Sequence, residues 1–167
     1  WIETAAIRAQ GFTSPVLQHL TLDDLCRLLP RERREDRFKF CFVRNPWERM
    51  LSAYLFERNH YRHSHGDAAG FLPLVEYLRQ LNPFQRLEQS DYIDGTVAMD
   101  FVGRFENLES DFNHVAQRIG LSGFTLPHAN RTRHRHYSSY YCAEARAIVA
   151  QLFQRDISRF DYRFDVS

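Results

Sequence analysis

Lysine is almost missing from this chain: of 22 basic residues only Lys39 is a lysine, which leaves 21 arginines. Arginine is the better fork for phosphate or sulfate oxygens, although genome base composition alone can produce such a bias. Charge of one sign is also scarce. A net charge of +1 excludes the large basic excess of a dedicated nucleic-acid binder. Cysteine is limited to Cys26, Cys41 and Cys142, widely spaced and without a CxxC pair, so neither a disulfide framework nor a cysteine zinc site is supported. The longest apolar stretches, residues 38–43 and 147–153, fall far short of a bilayer span and predict no transmembrane helix. No GxxxxGK[ST] occurs, and no carboxylate stands beside Arg44 for magnesium, which argues against a nucleotide kinase. No Met opens the chain, and residues 1–12 hold neither a basic n-region nor an apolar h-region. They do not read as a signal peptide, and the sequence reads as one that begins inside a longer protein.

What is present is an ordinary globular composition, 44% hydrophobic over 167 residues, enough for one sizeable core and a single domain spanning 1–167. No repeat, low-complexity segment or linker interrupts it. Thr21, with Asp24 at the third helical position, caps a short helix whose stripe is Leu22, Leu25, Leu28 and Leu29, stopped by Pro30. Residues 31–37 form a mixed-charge loop. Residues 38–43, aromatic and β-branched, predict a buried strand in which Cys41 is a small apolar residue. Arg44-Asn45-Pro46 breaks it, and Pro46 opens a helix running to about Asn59. Residues 60–70 predict a loop. Phe71, Leu72, Leu74, Val75, Leu78 and Leu81 recur at helical spacing. Residues 101–104 predict a second core strand, followed by a helix with Leu108, Phe112, Val115, Ala116 and Ile119, ended by Gly120. After a basic connection over 121–136, Ser138 or Ser139 caps a last helix reaching about Gln154, and the aromatic tail over 156–164 docks on the body. Two strands that each feed a helix predict an α/β layer architecture, with a strand count so low that either further strands in this chain escape the pattern or some precede Trp1.

Ligands of α/β sheets settle beyond the carboxyl ends of the strands, which is where Arg44 falls. The helix starting at Pro46 adds N–H groups and a positive dipole end. On its wheel Trp47, Met50, Leu51, Tyr54 and Leu55 share one side, expected to pack on the sheet, while Arg49, Ser52 and Phe56 share another. Ser52 is thus a hydroxyl able to donate to an anion that Arg44 also holds. The bland alternative is a solvated arginine after a strand.

The segment FVRNPWERMLSAY, with Arg44, Asn45, Pro46, Arg49, Ser52 and Tyr54 at its fixed offsets, resembles the 3'-phosphate-binding motif of sulfotransferases that use 3'-phosphoadenosine 5'-phosphosulfate (PAPS). VGRFENLESDF at 102–112 and the closing stretch 140–164 extend the likeness, which is strongest toward the carbohydrate-sulfotransferase-like branch. The resemblance implies a P-loop-like three-layer α/β fold with a parallel sheet, its N-terminal strand and phosphate loop missing from this chain. The family's Lys-bearing loop for the 5'-phosphosulfate has no counterpart in residues 1–12. It also implies sulfuryl transfer from PAPS, leaving 3',5'-ADP (PAP), to a hydroxyl or amine of a carbohydrate-like acceptor. By the same likeness Arg44 and Ser52 hold the 3'-phosphate, Tyr54 packs, Arg49 is structural, and Thr132 and Arg133 contact nucleotide or acceptor.

QHLTLDDL is similar to the His-bearing segment ahead of the 3'-phosphate strand in these enzymes, which makes His19 the candidate base; a surface or capping histidine is the plainer reading. His60, His63 and His65 sit in the expected loop and make a poor metal cage, and the resemblance needs no metal. Glu106 either orients an arginine or caps the helix after it, and Tyr137, Tyr140 and Tyr141 either stack an adenine or sugar or, for two of them at helical spacing, belong to the core. Asn130 opens an N-x-T sequon. Few cysteines and no anchor lean toward a cytoplasmic location; the likeness would place a eukaryotic version in the Golgi. The competing function is a non-catalytic module that keeps the 3'-phosphate pocket.

Overall fold

The two strands pair, and they do so in parallel. A computed structural model describes residues 20–31, 37–121, 123, 126 and 135–165. In it β1 (Phe40–Val43) lies beside β2 (Phe101–Arg104), in register from Phe40 opposite Phe101 to Val43 opposite Arg104. The expected strand over 38–43 loses its first two residues for a visible reason. Lys39 turns its N–H to the Asp100 carboxylate at 2.7 Å, while its carbonyl accepts from Asp100 N at 2.8 Å and Phe101 N at 3.1 Å, so the ladder begins one residue later. The result is a mixed α/β fold with a two-stranded parallel sheet among the described residues.

Each sheet face has its own cover. Val43 packs with Ile93 and Tyr162, and Cys41 and Val102 join them; burial there pushes the Cys41 thiol up to about 11. On the other face Phe42 lies across Gly103, and a Cβ at that glycine would stand 2.6 Å from the ring. Gly103→Ala should therefore force a rigid ring or the strand to shift, a destabilisation of ~1–3 kcal/mol, read as a lower urea midpoint with an unchanged m-value.

The short helix α1 (Leu22–Leu28) is capped as expected: the Thr21 hydroxyl accepts from Asp24 N at 3.2 Å, and the Asp24 carboxylate accepts from Thr21 N. Its stripe is corrected, since Leu25 and Leu29 are exposed while Cys26 and Asp24 are buried. The long helix α2 (Pro46–His65) overruns its expected end by six residues (65 − 59). Polar residues do not stop a helix; with no Gly or Pro after Pro46, it continues until Gly66, whose φ of +86° ends it. The ring of Tyr61 stacks on His65, centroids 3.9 Å apart, and packs on Phe71, so His60, His63 and His65 belong to a helix and not to a loop.

The apolar side of α2 does not rest on the sheet. Trp47, Met50, Leu51 and Leu55 form the main core with α3 (Leu74–Arg79), Leu81, Tyr137 and the helix α6 (Ala143–Leu152). Trp47 Nε1 donates to Arg146 O at 3.1 Å, and Tyr141 OH donates to Trp47 O at 2.7 Å. The helical spacing expected over 71–81 condenses to α3 because Pro73 sets its start. A helix that the hydrophobic pattern did not signal, α4 (Gln89–Ile93), follows. Then comes α5 (Leu108–Arg118), with Gly120 at φ +78° beyond it.

The expected last helix is three pieces. Ser138 and Ser139 lie in a 3-10 turn (Tyr137–Tyr140), the cap of α6 is Cys142, whose Sγ accepts from Ala145 N, and a break at Phe153 starts α7 (Gln154–Arg159). The tail docks: Tyr162 is buried, and Phe164 meets Trp47, Tyr137 and Tyr141 edge-on. No described helix is long and apolar enough to cross a membrane.

Candidate functional site

Beyond Val43 and Arg104 the backbone ladder stops, and side chains take over from it. Gln89, the first residue of α4, holds both backbone groups of Arg44: its Oε1 accepts from Arg44 N at 2.7 Å and its Nε2 donates to Arg44 O at 2.9 Å. Glu106, just past β2, accepts from Asn45 N at 2.6 Å through one oxygen and from Tyr162 OH at 3.3 Å through the other. It does not cap α5, whose cap position is Asn107; it ties the two strand ends together. Asn45 caps α2 by accepting from Trp47 N at 3.0 Å and donates its amide to Arg163 O at 3.0 Å.

With its backbone fixed, the Arg44 guanidinium lies over the Phe105 ring, 4.2 Å from the centroid, and its Nη2 meets Glu48 Oε1 at 3.2 Å. Its Nε is buried and finds no acceptor among the described residues. Glu48 lies in the first turn of α2, one helical turn before Ser52, which is half-buried. The N–H groups expected to serve an anion are partly committed: that of Trp47 goes to the cap, and that of Arg49 to Asn45 O at 2.8 Å. Glu48, in the first turn, supplies the negative charge that the helix dipole favours there.

Arg49 faces inward. Its Nη2 donates to Leu87 O at 3.1 Å and its guanidinium lies 4.7 Å from the Phe153 ring centroid. Burial pulls its pKa below the ordinary arginine value, with Asp156 acting in the opposite direction. That is a packing role, and Tyr54, whose hydroxyl donates to Leu72 O and whose ring meets Phe71 and Tyr77, has one too.

A cavity of about 270 Å³ opens at this end of the strands, lined by Asn45, Glu48, Glu106, Arg135, His136, Tyr137 and Asp165. His136 Nδ1 lies 2.9 Å from Ser138 Oγ, and its ring meets that of Tyr137 at a tilt of 38°, centroids 4.5 Å apart. Burial pushes the Tyr137 phenol up, and its oxygen accepts from Asp165 N at 2.7 Å. Of the candidate site residues, Arg44 and Ser52 are described, whereas His19, Thr132 and Arg133 lie outside the described residues, as does Asn130. A larger concavity, about 520 Å³, is a groove along α6 and α7 away from the strand ends; its arginines Arg155 and Arg159 are ion-paired with Asp91 and Asp94. Among the described residues no His, Cys, Asp and Glu group is arranged to hold a metal.

Sequence reading alone misses Glu48, Gln89 and Asp156, and its expectation of no carboxylate beside Arg44 is corrected by the Glu48 contact. Glu48 carried a signal, since it stands four residues from each of the two candidate anion ligands.

The profile of the Sulfotransferase family matches residues 6–163. This chain belongs to that family. Carbohydrate sulfotransferase 11 of Mus musculus is 27% identical over 169 residues, covering 78% of this chain and 48% of that protein. Carbohydrate sulfotransferase 10 of Danio rerio is 27% identical over 177 residues, with the same coverage of 78% and 48%. An uncharacterized protein of Archaeoglobus fulgidus is 34% identical over 86 residues, 49% of this chain and 67% of that one. The chain is therefore a carbohydrate-sulfotransferase-like family member, and it spans about half the length of the carbohydrate sulfotransferases it matches. No solved structure matches it.

Proposed function

We propose that this sulfotransferase moves a sulfuryl group from PAPS to a hydroxyl or amine of a carbohydrate-like acceptor, with Arg44 and Ser52 on the nucleotide 3'-phosphate. The observation that carries the reading is Arg44 itself: its backbone is clamped at the rim of the sheet, its guanidinium is stacked on Phe105, and a buried Nε donor is left over. A guanidinium with a spare Nε donor, placed at a strand end beside a helix N-terminus, fits an anionic oxygen. The two-stranded parallel sheet would be part of a wider parallel sheet in a P-loop-like three-layer fold.

PAPS supplies the sulfuryl group already joined to a phosphate leaving group. The protein supplies position and charge. Arg44 neutralises the 3'-phosphate, and Ser52 donates to it from one turn beyond Glu48. Thr132 and Arg133 add contacts from the connection before α6, and His19 takes the proton from the attacking acceptor.

The test is calorimetry on the whole protein with 3',5'-ADP and 5'-AMP. Preference for the doubly phosphorylated nucleotide supports the reading; equal affinity, or no binding by either, removes it. Glu48 sharpens the test, because a 3'-phosphate on Arg44 must share the guanidinium with a carboxylate. Glu48→Gln is expected to tighten 3',5'-ADP binding about three- to fivefold, the equivalent of the ~0.5–1 kcal/mol of a partly exposed ion pair.

The same Glu48 contact favours a second reading, a module that retains the pocket but no longer transfers sulfate. Incubation with radiolabelled PAPS and a sugar acceptor separates the two: label on the acceptor supports the enzyme, and tight 3',5'-ADP binding without transfer supports the module.

A further inference from the structure

We infer that Gln89 is a positioning residue for Arg44, doing with a side-chain amide what a neighbouring strand would do with its backbone. The inference rests on the phosphate role of Arg44 proposed above. Arg44 is the first residue past the last paired position of β1, opposite no partner in β2. An arginine there would ordinarily pivot about its own φ and ψ. Gln89 removes that freedom by engaging the N–H and the C=O together, at 2.7 and 2.9 Å, which is the two-bond exchange of a residue pair in an antiparallel ladder.

The amide is itself held from behind. Its Nε2 lies 3.2 Å from Asp156 Oδ2, and the same carboxylate accepts from Gln89 N at 2.6 Å and Ser90 N at 2.8 Å. Asp156 is 0% exposed, so this acceptor does not wander. The carboxylate can only accept, which turns the Gln89 amide so that its oxygen faces Arg44 N. Glu88 closes the arrangement by accepting from Asp156 N at 2.7 Å. None of these groups reaches the guanidinium. Gln89 acts on it only by fixing the Cα from which it springs, and a guanidinium on a five-bond stem magnifies any tilt at its root.

The experiment is binding of 3',5'-ADP and 5'-AMP to the whole protein, with their affinity ratio as the readout, since the ratio isolates the 3'-phosphate. Gln89→Met keeps length and volume but removes every polar contact of the side chain, leaving the backbone bond to Asp156 in place. The ratio is expected to fall about tenfold, as for the loss of one charge-linked hydrogen bond, while 5'-AMP affinity stays the same. In an Arg44→Ala background Gln89→Met should leave the ratio untouched, because its effect runs through that arginine.

A folded Gln89→Met protein with a wild-type ratio overturns the inference. So do equal losses for both nucleotides, or an effect that persists without Arg44. If Gln89→Met does not fold, Gln89→Glu, which retains the acceptor for Arg44 N, carries the test, with a smaller fall in the same ratio expected and no fall overturning it. Should Arg44→Ala itself leave the ratio unchanged, the phosphate reading fails and the inference falls with it; a strong Arg44 effect beside a silent Gln89 refutes the inference alone.

Discussion

Arg44→Ala is expected to weaken 3',5'-ADP binding about a hundredfold and to leave 5'-AMP binding nearly unchanged. The magnitude follows from the two or so charge-assisted hydrogen bonds a guanidinium gives a phosphate, at ~1.5–3 kcal/mol each, less what Arg44 already gains from Glu48 when no ligand is present. The fold should survive. An alanine keeps the two backbone bonds to Gln89, and the lost pieces are an i,i+4 ion pair and a stack on the exposed Phe105 ring, together ~1 kcal/mol or so. Isothermal titration beside a melting curve checks both halves. A tenfold or larger loss of 5'-AMP affinity, or a collapse in Tm, would mean that the residue shapes the site without touching the 3'-phosphate.

Asp156→Ala should have the largest effect on stability, on the order of 3–5 kcal/mol. Its carboxylate is wholly buried and accepts from Gln89 N, Ser90 N and the Gln89 amide. Deleting it strands those donors away from water, each at a cost of ~1–3 kcal/mol, and it cuts the bond between α7 and the start of α4. Urea denaturation followed by circular dichroism measures the change. A loss under ~1 kcal/mol would show that water can reach these donors and that the burial is not tight.

The parts of this fold that were legible in the sequence are those whose signal is local. The aromatic run ending at Val43, the Arg44-Asn45-Pro46 break, the Thr21 and Asp24 cap and the Gly120 stop each decide their own neighbourhood, and each stands where expected. The errors arise where long-range contact overrides composition. Residues 60–65 look like loop because they are polar, yet they continue a helix whose end is set by Gly66 alone. The last helix breaks at Phe153 because Asp156 is drawn to the N–H groups of residues 89 and 90, a partner more than sixty positions away. The stripe of α2 reads as apolar whichever element it meets, so the pattern could not say that the partner is α3 and α6 in place of the sheet. At the site, the positions of Arg44 and Ser52 came from spacing and family likeness, but the carboxylate between them gains its meaning only once Arg44 is seen to turn toward it.

Gln89 and Asp156 lie 45 and 112 positions downstream of Arg44 (89 − 44 and 156 − 44). A nascent polypeptide emerging from the ribosome would thus display the FVRNPWERMLSAY segment long before anything could steady it. The nucleotide capture proposed for Arg44 should therefore begin only after α7 has left the exit tunnel, and it should be lost when proteolysis removes α7.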